Sequence, residues 1–314
     1  MRFTVWGSRG SHPTVLTPAA VQSKIATVVQ RIRPIDLVSQ DARERFLASL
    51  PSWLFGTTSG NTACVQLELD RENQLVFDAG SGIIEFGQAQ RRREPPPREY
   101  HLFFTHFHYD HIQGLPFFVP AYDPRVRLHL YSPLEGLHET LSQQMIHPYF
   151  PVTMDGTMGS TRTFHRLDPE GVELYGARVL WRELNHPGRA FGYRVEYGGR
   201  SFGYVTDVEL LEPDFEQTAA NSRFFGNLDA MILDAQYTLD EAIEKINWGH
   251  SSFSLAVDFA KAWNVRRLFL FHHEPQYSDR KLEQNLQAAR RYAAGIKGGE
   301  LQVDLAREGM TIDV

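Results

Sequence analysis

The sequence predicts an α/β protein in which two packed β-sheets carry helices on their outer faces. Strand-like segments recur along the chain, from the alternating "RFTVW" at its start to nearly all-apolar runs such as "LDAMILDA". Runs of that kind are typical of strands covered on both faces. Apolar residues at helical spacing occupy much of residues 14–58 and recur at 251–263 and 279–295. We therefore expect one domain over residues 1–314, with 14–58 as a helical insertion between the first two strands.

Between these helical segments the strands follow in a readable order. "NTACVQLEL" and "NQLVFDAG" predict a hairpin whose turn is set by Asp70–Asn73. "EYHLFFT" then predicts a buried strand, and a helix is expected near 134–146. The remaining predicted strands are "RLHLYS", "VELYGARVLWREL", "AFGYRVEYG", "RSFGYVTD" and "VRRLFLFHH".

Composition limits the classes of function. The formal net charge is −6, whereas dedicated nucleic-acid binders usually show a basic footprint. Bulk nucleic-acid binding is therefore disfavoured, but a small phosphate-bearing substrate is not. No apolar run approaches the roughly 18 residues that span a bilayer, and the N-terminus reads as a strand, not as a signal peptide. The single cysteine excludes an internal disulfide framework, so we expect a cytoplasmic protein without membrane contact.

The segment "THFHYDHIQG" crowds three histidines and an aspartate into six positions, although the whole chain holds 13 histidines. His106 and His108 are two residues apart, so on an extended backbone both side chains point the same way and can bind one ion. Asp110 and His111 follow as the chain turns and can reach a second ion. Imidazole and carboxylate ligands together suit zinc, iron or manganese. This pattern predicts a metal site.

His106 through His111, "HFHYDH", resembles the HxHxDH signature of the metallo-β-lactamase fold superfamily. That resemblance implies a four-layer αββα sandwich and three further ligands, each at the end of a later strand. "LNHPG" supplies His186, "YVTD" supplies Asp207, and "LFLFHHEP" supplies His272 or His273. In "VFDAGSGI", Asp78 resembles the superfamily's aspartate that hydrogen-bonds the metal loop.

The resemblance implies a centre for two divalent ions, with zinc expected and manganese or iron as alternatives. The first ion would be held by His106, His108 and His186. The second would be held by Asp110, His111 and His272, because "LFH" matches the superfamily's Leu-x-His better than His273 does. Asp207 would bridge the two ions. Two such ions support hydrolysis through a metal-bridging hydroxide.

The segments "LDAQYT" and "NWGHSS" resemble the RNase Z-like phosphodiesterase branch of this superfamily. There an acidic residue pairs with a histidine that assists cleavage of the P–O bond, and the matching residues are Asp234 and His250. Asp110 is also predicted to be catalytic, together with Asp234 and His250. Ser251 and Ser252 are also good helix N-caps, so a structural role for this segment stays open beside the catalytic one.

Three further residues are predicted to bind substrate. Arg9 lies in the Gly-rich "GSRGS", where backbone N–H groups can hold an anion, and "QMIHPYFPVTMDG" offers His147 and Tyr149 in a Pro-broken loop. The sequence has no recognisable basic, Gly/Pro-rich arm of the kind that clamps tRNA in RNase Z.

The predicted function is a metal-dependent phosphodiesterase acting on a small phosphodiester, cyclic esters included. The alternative enzymatic function is hydrolysis of a carboxylic ester, lactone or thioester on the same metals. The alternative from another class of function is a non-catalytic sensor of a metal or a ligand. The insertion at 14–58 is expected either to cover the active site or to make a homodimer contact, and its sequence favours neither role.

Overall fold

The computed structural model describes residues 1–314, whose strands form two seven-stranded sheets. The strands are β1 (Arg2–Gly7), β2 (Cys64–Glu68), β3 (Gln74–Phe77), β4 (Glu99–Phe103), β5 (Arg127–Ser132), β6 (Thr161–Arg166), β7 (Val172–Leu174), β8 (Ala177–Leu184), β9 (Ala190–Tyr197), β10 (Arg200–Val205), β11 (Ala230–Asp234), β12 (Arg267–Phe271), β13 (Gln302–Leu305) and β14 (Thr311–Asp313). The first sheet has the order β14-β1-β2-β3-β4-β5-β6, and the second has the order β13-β12-β11-β10-β9-β8-β7.

Helices connect and cover these strands. They are α1 (Pro18–Arg31), α2 (Gln40–Ser49), α3 (Ser52–Phe55), α4 (Gly82–Arg91), α5 (Tyr109–Ile112), α6 (Leu137–Gln143), α7 (Met154–Thr157), α8 (Glu212–Phe215), α9 (Ala219–Phe225), α10 (Leu239–Glu244), α11 (Phe253–Ala262) and α12 (Asp279–Gly295). None of them is long and apolar enough to cross a membrane.

Three buried apolar layers hold the fold together. The central layer lies between the sheets, where Phe3 packs on Phe202 with ring centroids 5.3 Å apart and Phe77 packs on Tyr204 at 5.4 Å. A second layer lies under α4 on the first sheet, and a third lies under α11 and α12 on the second sheet. Helices therefore flank both sheets, which confirms the predicted αββα sandwich.

Strand direction brings the predicted ligands to one edge. β3, β4 and β5 run parallel, as do β10, β11 and β12. The carboxyl ends of parallel strands meet at the same edge of a sheet, and loops that carry function gather there. His106 follows β4, Asp207 follows β10 and His272 follows β12. His186 joins them because β8 runs antiparallel to β9, which itself runs antiparallel to β10.

The insertion at 14–58 folds into α1, α2 and α3, and it is anchored on α12. The Lys24 ammonium on α1 lies 2.6 Å from an Asp279 carboxylate oxygen, and Thr58 donates its backbone N–H to the same carboxylate at 2.7 Å. No residue of α1 is fully buried, and Ile25 and Val29 are 59% and 61% exposed. A homodimer contact through this face stays a prediction, as does the division of the chain into one domain with an insertion.

Some local predictions differ from the structure. The helix expected near 134–146 is limited to α6, because Gly136 takes a left-handed φ of 71° at its start and Gln144 ends it. Several elements carry too weak a pattern to be predicted, namely α4, α5, α7, α8, α9, α10, β6, β13 and β14. Strand β6 illustrates the reason, because five of the six residues of "TRTFHR" are polar and its pairing with β5 is decided by the sheet.

Candidate metal centre

The loop after β4 is held in shape by Asp78, which follows β3. The Asp78 carboxylate accepts the Thr105 backbone N–H at 2.8 Å and lies 2.8 Å from His111 Nδ1. Tyr204 of the second sheet donates its hydroxyl to the same carboxylate at 3.0 Å, so Asp78 ties the two sheets together beneath the loop. This contact agrees with the role that the sequence indicates for Asp78.

The first ligand group contains three histidines and Asp207. The donor atoms of His106, His108, His186 and Asp207 all lie within 4.8 Å of one another. His186 Nε2 is 3.1 Å from His108 Nδ1, and His106 Nε2 is 3.5 Å from an Asp207 oxygen. Metal–nitrogen distances of about 2.0–2.1 Å place two ligands of a tetrahedral zinc ion about 3.3–3.4 Å apart. The spacing therefore fits a single ion.

The second ligand group shares Asp207 and adds Asp110, His111 and His272. His111 Nε2 lies 3.2 Å from Asp207 Oδ1 and 3.4 Å from Asp110 Oδ2. His272 Nε2 lies 3.1 Å from Asp110 Oδ2 and 3.3 Å from Asp207 Oδ2. Asp207 therefore belongs to both groups, and its carboxylate lies between them.

Two buried nitrogens indicate that these groups are built for cations. The Nε2 atoms of His106 and His111 are buried and have no hydrogen-bond partner. Buried polar atoms are otherwise almost always paired in native proteins. A divalent ion in each ligand group would satisfy both nitrogens and would neutralise the nearly inaccessible carboxylates of Asp110 and Asp207.

The protonation preferences of the two groups differ. Burial lowers the pKa of His106, His108 and His186, so these imidazoles are neutral and ready to ligate. Burial opposes charge on His111 and His272 as well, but the carboxylates around them, Asp207 first, outweigh it. They raise the pKa of His111 far above its ordinary value and that of His272 to about 9. In the second group, protons supply the positive charge when no metal is bound.

Contacts behind the ligands orient them. His186 Nδ1 lies 2.9 Å from the Gly249 carbonyl oxygen, and His272 Nδ1 lies 3.1 Å from Gln236 Oε1. Ser11 donates its backbone N–H to Asp110 Oδ2 at 2.8 Å. Sequence patterns do not identify Gly249 or Ser11, because backbone donors and acceptors leave no residue signature. Gln236 can be identified from the sequence, since it lies two residues after Asp234 in the segment "LDAQYT".

Several site residues adopt an uncommon backbone conformation. Asp78, Asp207 and His272 have φ values of 59°, 56° and 58°, in the left-handed region. Residues with a side chain pay of order 1–3 kcal/mol for such a conformation, which clusters at functional sites. Each of the three follows a strand end, where the turn directs the side chain into the centre.

His250 and Asp234 form a pair beside the second ligand group. His250 Nδ1 lies 2.7 Å from Asp234 Oδ2, and the His250 ring stacks on His272 with centroids 4.6 Å apart. Asp234 Oδ1 accepts the Ser251 backbone N–H at 2.9 Å, which fixes the carboxylate. With Nδ1 engaged, Nε2 is the ring nitrogen left for a ligand. His250 lines a cleft of about 360 Å³ together with His108, Asp110, Asp207 and His272. Ser252 also caps α11, which is the structural role predicted for this segment, and the catalytic role of His250 stays a prediction.

The remaining predicted residues lie elsewhere. The structure does not bring the Arg9 guanidinium to the cleft, because it is buried and donates to the carbonyl oxygens of Ser59, Glu274 and Tyr277. His147 is exposed, Tyr149 is 83% exposed, and neither lines the cleft. His273 points away from the ligands, with Nε2 3.0 Å from the Ala306 carbonyl oxygen. The "GSRGS" loop instead supports the centre through its backbone at Ser11.

Comparison with known proteins identifies the class that this fold and centre define. Residues 73–273, more than half of the chain, match the family described as the beta-lactamase superfamily domain. The chain therefore belongs to the metallo-β-lactamase superfamily, and it is a metal-dependent hydrolase.

Individual relatives are more distant. Ribonuclease Z of Oceanobacillus iheyensis is 23% identical over 290 residues, which cover 78% of this chain and 92% of that protein. A diphosphatase of the PhnP family has a similar structure, with a TM-score of 0.63 at 20% identity over 100% of this chain and 97% of that one. Zinc-bound PqqB from Methylobacterium extorquens has a TM-score of 0.63 at 16% identity, over 100% of both chains. The two structural likenesses show the shared fold.

Proposed function

We propose that this hydrolase is a phosphodiesterase that acts on a small phosphodiester. The observation that carries the proposal is the His250–Asp234 pair, which stands beside the second ligand group with one ring nitrogen free in the cleft. Cleavage of a P–O bond leaves a charged oxygen, and a positioned histidine is suited to stabilise or protonate it. The alternative substrate, a carboxylic ester, gives this pair no comparable task.

The two ligand groups are proposed to hold two divalent ions. His106, His108 and His186 would hold the first, Asp110, His111 and His272 the second, and Asp207 would join both. Such ions polarise a phosphoryl oxygen and lower the pKa of a bound water. Zinc is the proposed ion, since imidazole and carboxylate ligands at these spacings suit it, and manganese or iron are the alternatives. The zinc-bound PqqB of the same fold supports this choice.

The protein's own groups would act on the other side of the scissile bond. Asp234 accepts from His250 Nδ1–H, which orients the ring and would stabilise its doubly protonated, imidazolium form. A proton on His250 Nε2 would then pass to the departing alkoxide or phenoxide oxygen. Asp110, held by the Ser11 backbone N–H, lines the same cleft and keeps the His272 imidazole in place.

The cleft and the charge of the chain support a small substrate. A volume of about 360 Å³ is at the low end of ligand pockets. The net charge of −6 offers no broad basic surface for a long polyanion. The names of the relatives, a ribonuclease Z and a diphosphatase, support phosphoester chemistry as the class. We therefore propose a small-molecule phosphodiester as the partner, in preference to bulk nucleic acid.

The test is hydrolysis of bis-(p-nitrophenyl) phosphate by protein of measured metal content, beside p-nitrophenyl acetate as the carboxylic ester. We expect diester turnover in the metal-loaded protein, its loss after chelation, and its return when zinc or manganese is added. Turnover of the carboxylic ester alone would overturn the proposal in favour of an esterase. Two bound metals without turnover of either substrate would favour a sensor.

A further inference from the structure

We propose that Glu99, His101 and His129 form a separate binding site for a zinc-class divalent ion at the far end of the sandwich. Glu99 begins β4, whereas the ligands of the metal centre follow the end of β4, so the two sites lie at opposite ends of this strand. The donor atoms of Glu99, His101 and His129 lie within 4.8 Å of one another. None of them takes part in the hydrolytic centre.

The strand register creates this cluster. His101 of β4 pairs directly with His129 of β5, and their rings stack with centroids 4.7 Å apart at an interplanar angle of 11°. Glu99 is two residues before His101, on the same face of β4. Its Oε1 atom lies 3.5 Å from His101 Nε2 and 3.4 Å from His129 Nε2. These separations match the ligand spacing of about 3.3–3.4 Å around a tetrahedral zinc ion.

An unpartnered nitrogen points to a missing cation. His129 Nδ1 lies 2.8 Å from the Thr163 hydroxyl, which itself donates to the Leu128 carbonyl oxygen. The hydroxyl also lies 3.0 Å from His165 Nε2. When His129 donates from Nδ1 to this hydroxyl, its Nε2 carries a lone pair. That Nε2 is buried without a hydrogen-bond partner and faces the Glu99 carboxylate. In this tautomer two acceptors face each other, and a cation between them would satisfy both.

The other two groups are prepared to ligate. Arg127 binds Glu99 Oε2 and leaves Oε1 toward the histidines. Burial lowers the pKa of His101 to about 4, with the neighbouring His129 adding to the effect, so the imidazole is neutral near pH 7. Neutral imidazole is the form that binds metals. The Tyr175 hydroxyl donates to Glu99 Oε1 at 3.1 Å and lies 2.8 Å from His101 Nε2, so it contacts both groups from the second sheet.

The position of the site indicates what the ion would do. Glu99, His101 and His129 belong to the first sheet, whereas Tyr175 lies in the turn between β7 and β8 of the second sheet. An ion bound here would join the two sheets at the end remote from catalysis. A ligand that binds only the folded chain stabilises it by mass action. Zinc is therefore expected to raise the melting temperature through this site without changing turnover.

The experiment counts metal ions in tag-free protein. Metal-free wild type is titrated with zinc alone, passed through gel filtration and assayed for zinc per chain, together with His129→Phe and Glu99→Gln. His129→Phe keeps an aromatic ring on His101 but removes the ligand. His165→Phe is the matched control, since the His165 ring neighbours that of His129, with centroids 5.7 Å apart, but lies outside the ligand set.

We expect wild type and His165→Phe to retain one more zinc ion per chain than His129→Phe and Glu99→Gln. Hydrolytic activity should be equal in all four proteins, and the zinc-dependent rise in melting temperature should shrink in the two ligand variants. Equal zinc content in all four proteins would overturn the proposal, as would loss of the extra ion during gel filtration of wild type. If His129→Phe does not fold, Glu99→Gln decides alone, because it preserves the size and burial of the side chain.

Discussion

His250 Nδ1 lies 2.7 Å from Asp234 Oδ2, while the His250 ring stacks on His272 of the second ligand group. The carboxylate is fully buried at the end of β11, whereas His250 retains access to the cleft. This arrangement fixes one face and one nitrogen of the imidazole and leaves the other nitrogen for a substrate. The metal ligands alone do not distinguish among hydrolases of this superfamily, and the proposal of phosphoester cleavage therefore depends on this pair.

Replacing the orienting carboxylate tests this arrangement. Asp234→Asn keeps an oxygen for the Ser251 backbone N–H but presents an amide to His250 Nδ1, which removes the negative charge that stabilises the imidazolium donating from Nε2. We expect kcat for a diester to fall about 10- to 100-fold with KM nearly unchanged. Metal content, measured on the same samples, should not change. Asp240→Asn, an exposed acid on α10, serves as the control, and unchanged kcat in Asp234→Asn would refute the orienting role.

Gly249 is expected to be essential for the first ligand group. A Cβ atom at this position would lie 2.2 Å from His186 Nδ1, and its φ is 84°. Gly249→Ala should therefore displace His186 and remove most metal from the first group, with activity lost in proportion. Gly199→Ala is the matched control, because Gly199 has a φ of 75° and a methyl group there would meet no atom within 4 Å. If both variants keep their metal and activity, Gly249 does not position His186.

Metal binding is expected to release protons. Burial opposes charge on His272, but nearby carboxylates, Asp207 first, raise its pKa to about 9 in the metal-free protein. Because this folded value exceeds the unfolded value of about 6.5, the stabilisation is fully present below about pH 6.5 and is lost as pH rises through about 9. The melting temperature of metal-free protein should fall over that window. Zinc affinity should rise over it.

Calorimetric titration with zinc in buffers of different ionisation enthalpy measures these protons directly. At about pH 7.5 we expect net proton release on binding to the second ligand group. A pH-independent zinc affinity between about pH 6.5 and about pH 9 would show that His272 is neutral in the metal-free protein.

The anchor of the insertion is also testable. Lys24 Nζ lies 2.6 Å from Asp279 Oδ2 and 2.6 Å from the Trp53 carbonyl oxygen. The Lys24 side chain is one-fifth exposed. Lys24→Met leaves the buried Asp279 carboxylate without its cation. We expect the free energy of unfolding to fall by about 1.5–3 kcal/mol and proteolysis within 14–58 to accelerate. Lys297→Met, at an exposed position, should behave as wild type, and an unchanged Lys24→Met would mean that α3 alone anchors the insertion.

The strands and the metal-binding segment were predicted from local patterns, whereas the later ligands were predicted from the resemblance to the metallo-β-lactamase superfamily. His106, His108, Asp110 and His111 are adjacent in the chain, and each later ligand follows an apolar run that ends in a turn. The resemblance favoured His272 over His273. The structure agrees, because His272 lies in the second ligand group whereas His273 Nε2 lies 3.0 Å from the Ala306 carbonyl oxygen.

The sequence could not predict contacts that depend on distant backbone. Arg9 resembled an anion-binding residue in a Gly-rich turn, yet three carbonyl oxygens from elsewhere in the chain engage its guanidinium. His101 and His129 are far apart in the chain, and only the pairing of β4 with β5 brings them together. Positions of this kind follow from register, which no local pattern specifies.

The most direct test of the central claim compares two diesters whose leaving groups differ in basicity. Metal-loaded wild type, His250→Ala and the half-buried control His138→Ala, which does not line the cleft, are assayed with bis-(p-nitrophenyl) phosphate and with diphenyl phosphate. If His250 protonates the leaving oxygen, His250→Ala should lose about 10²- to 10³-fold in kcat on diphenyl phosphate and clearly less on the nitrophenyl diester. Its metal content should stay equal to that of wild type and His138→Ala. Wild-type rates in His250→Ala on both diesters would contradict the account.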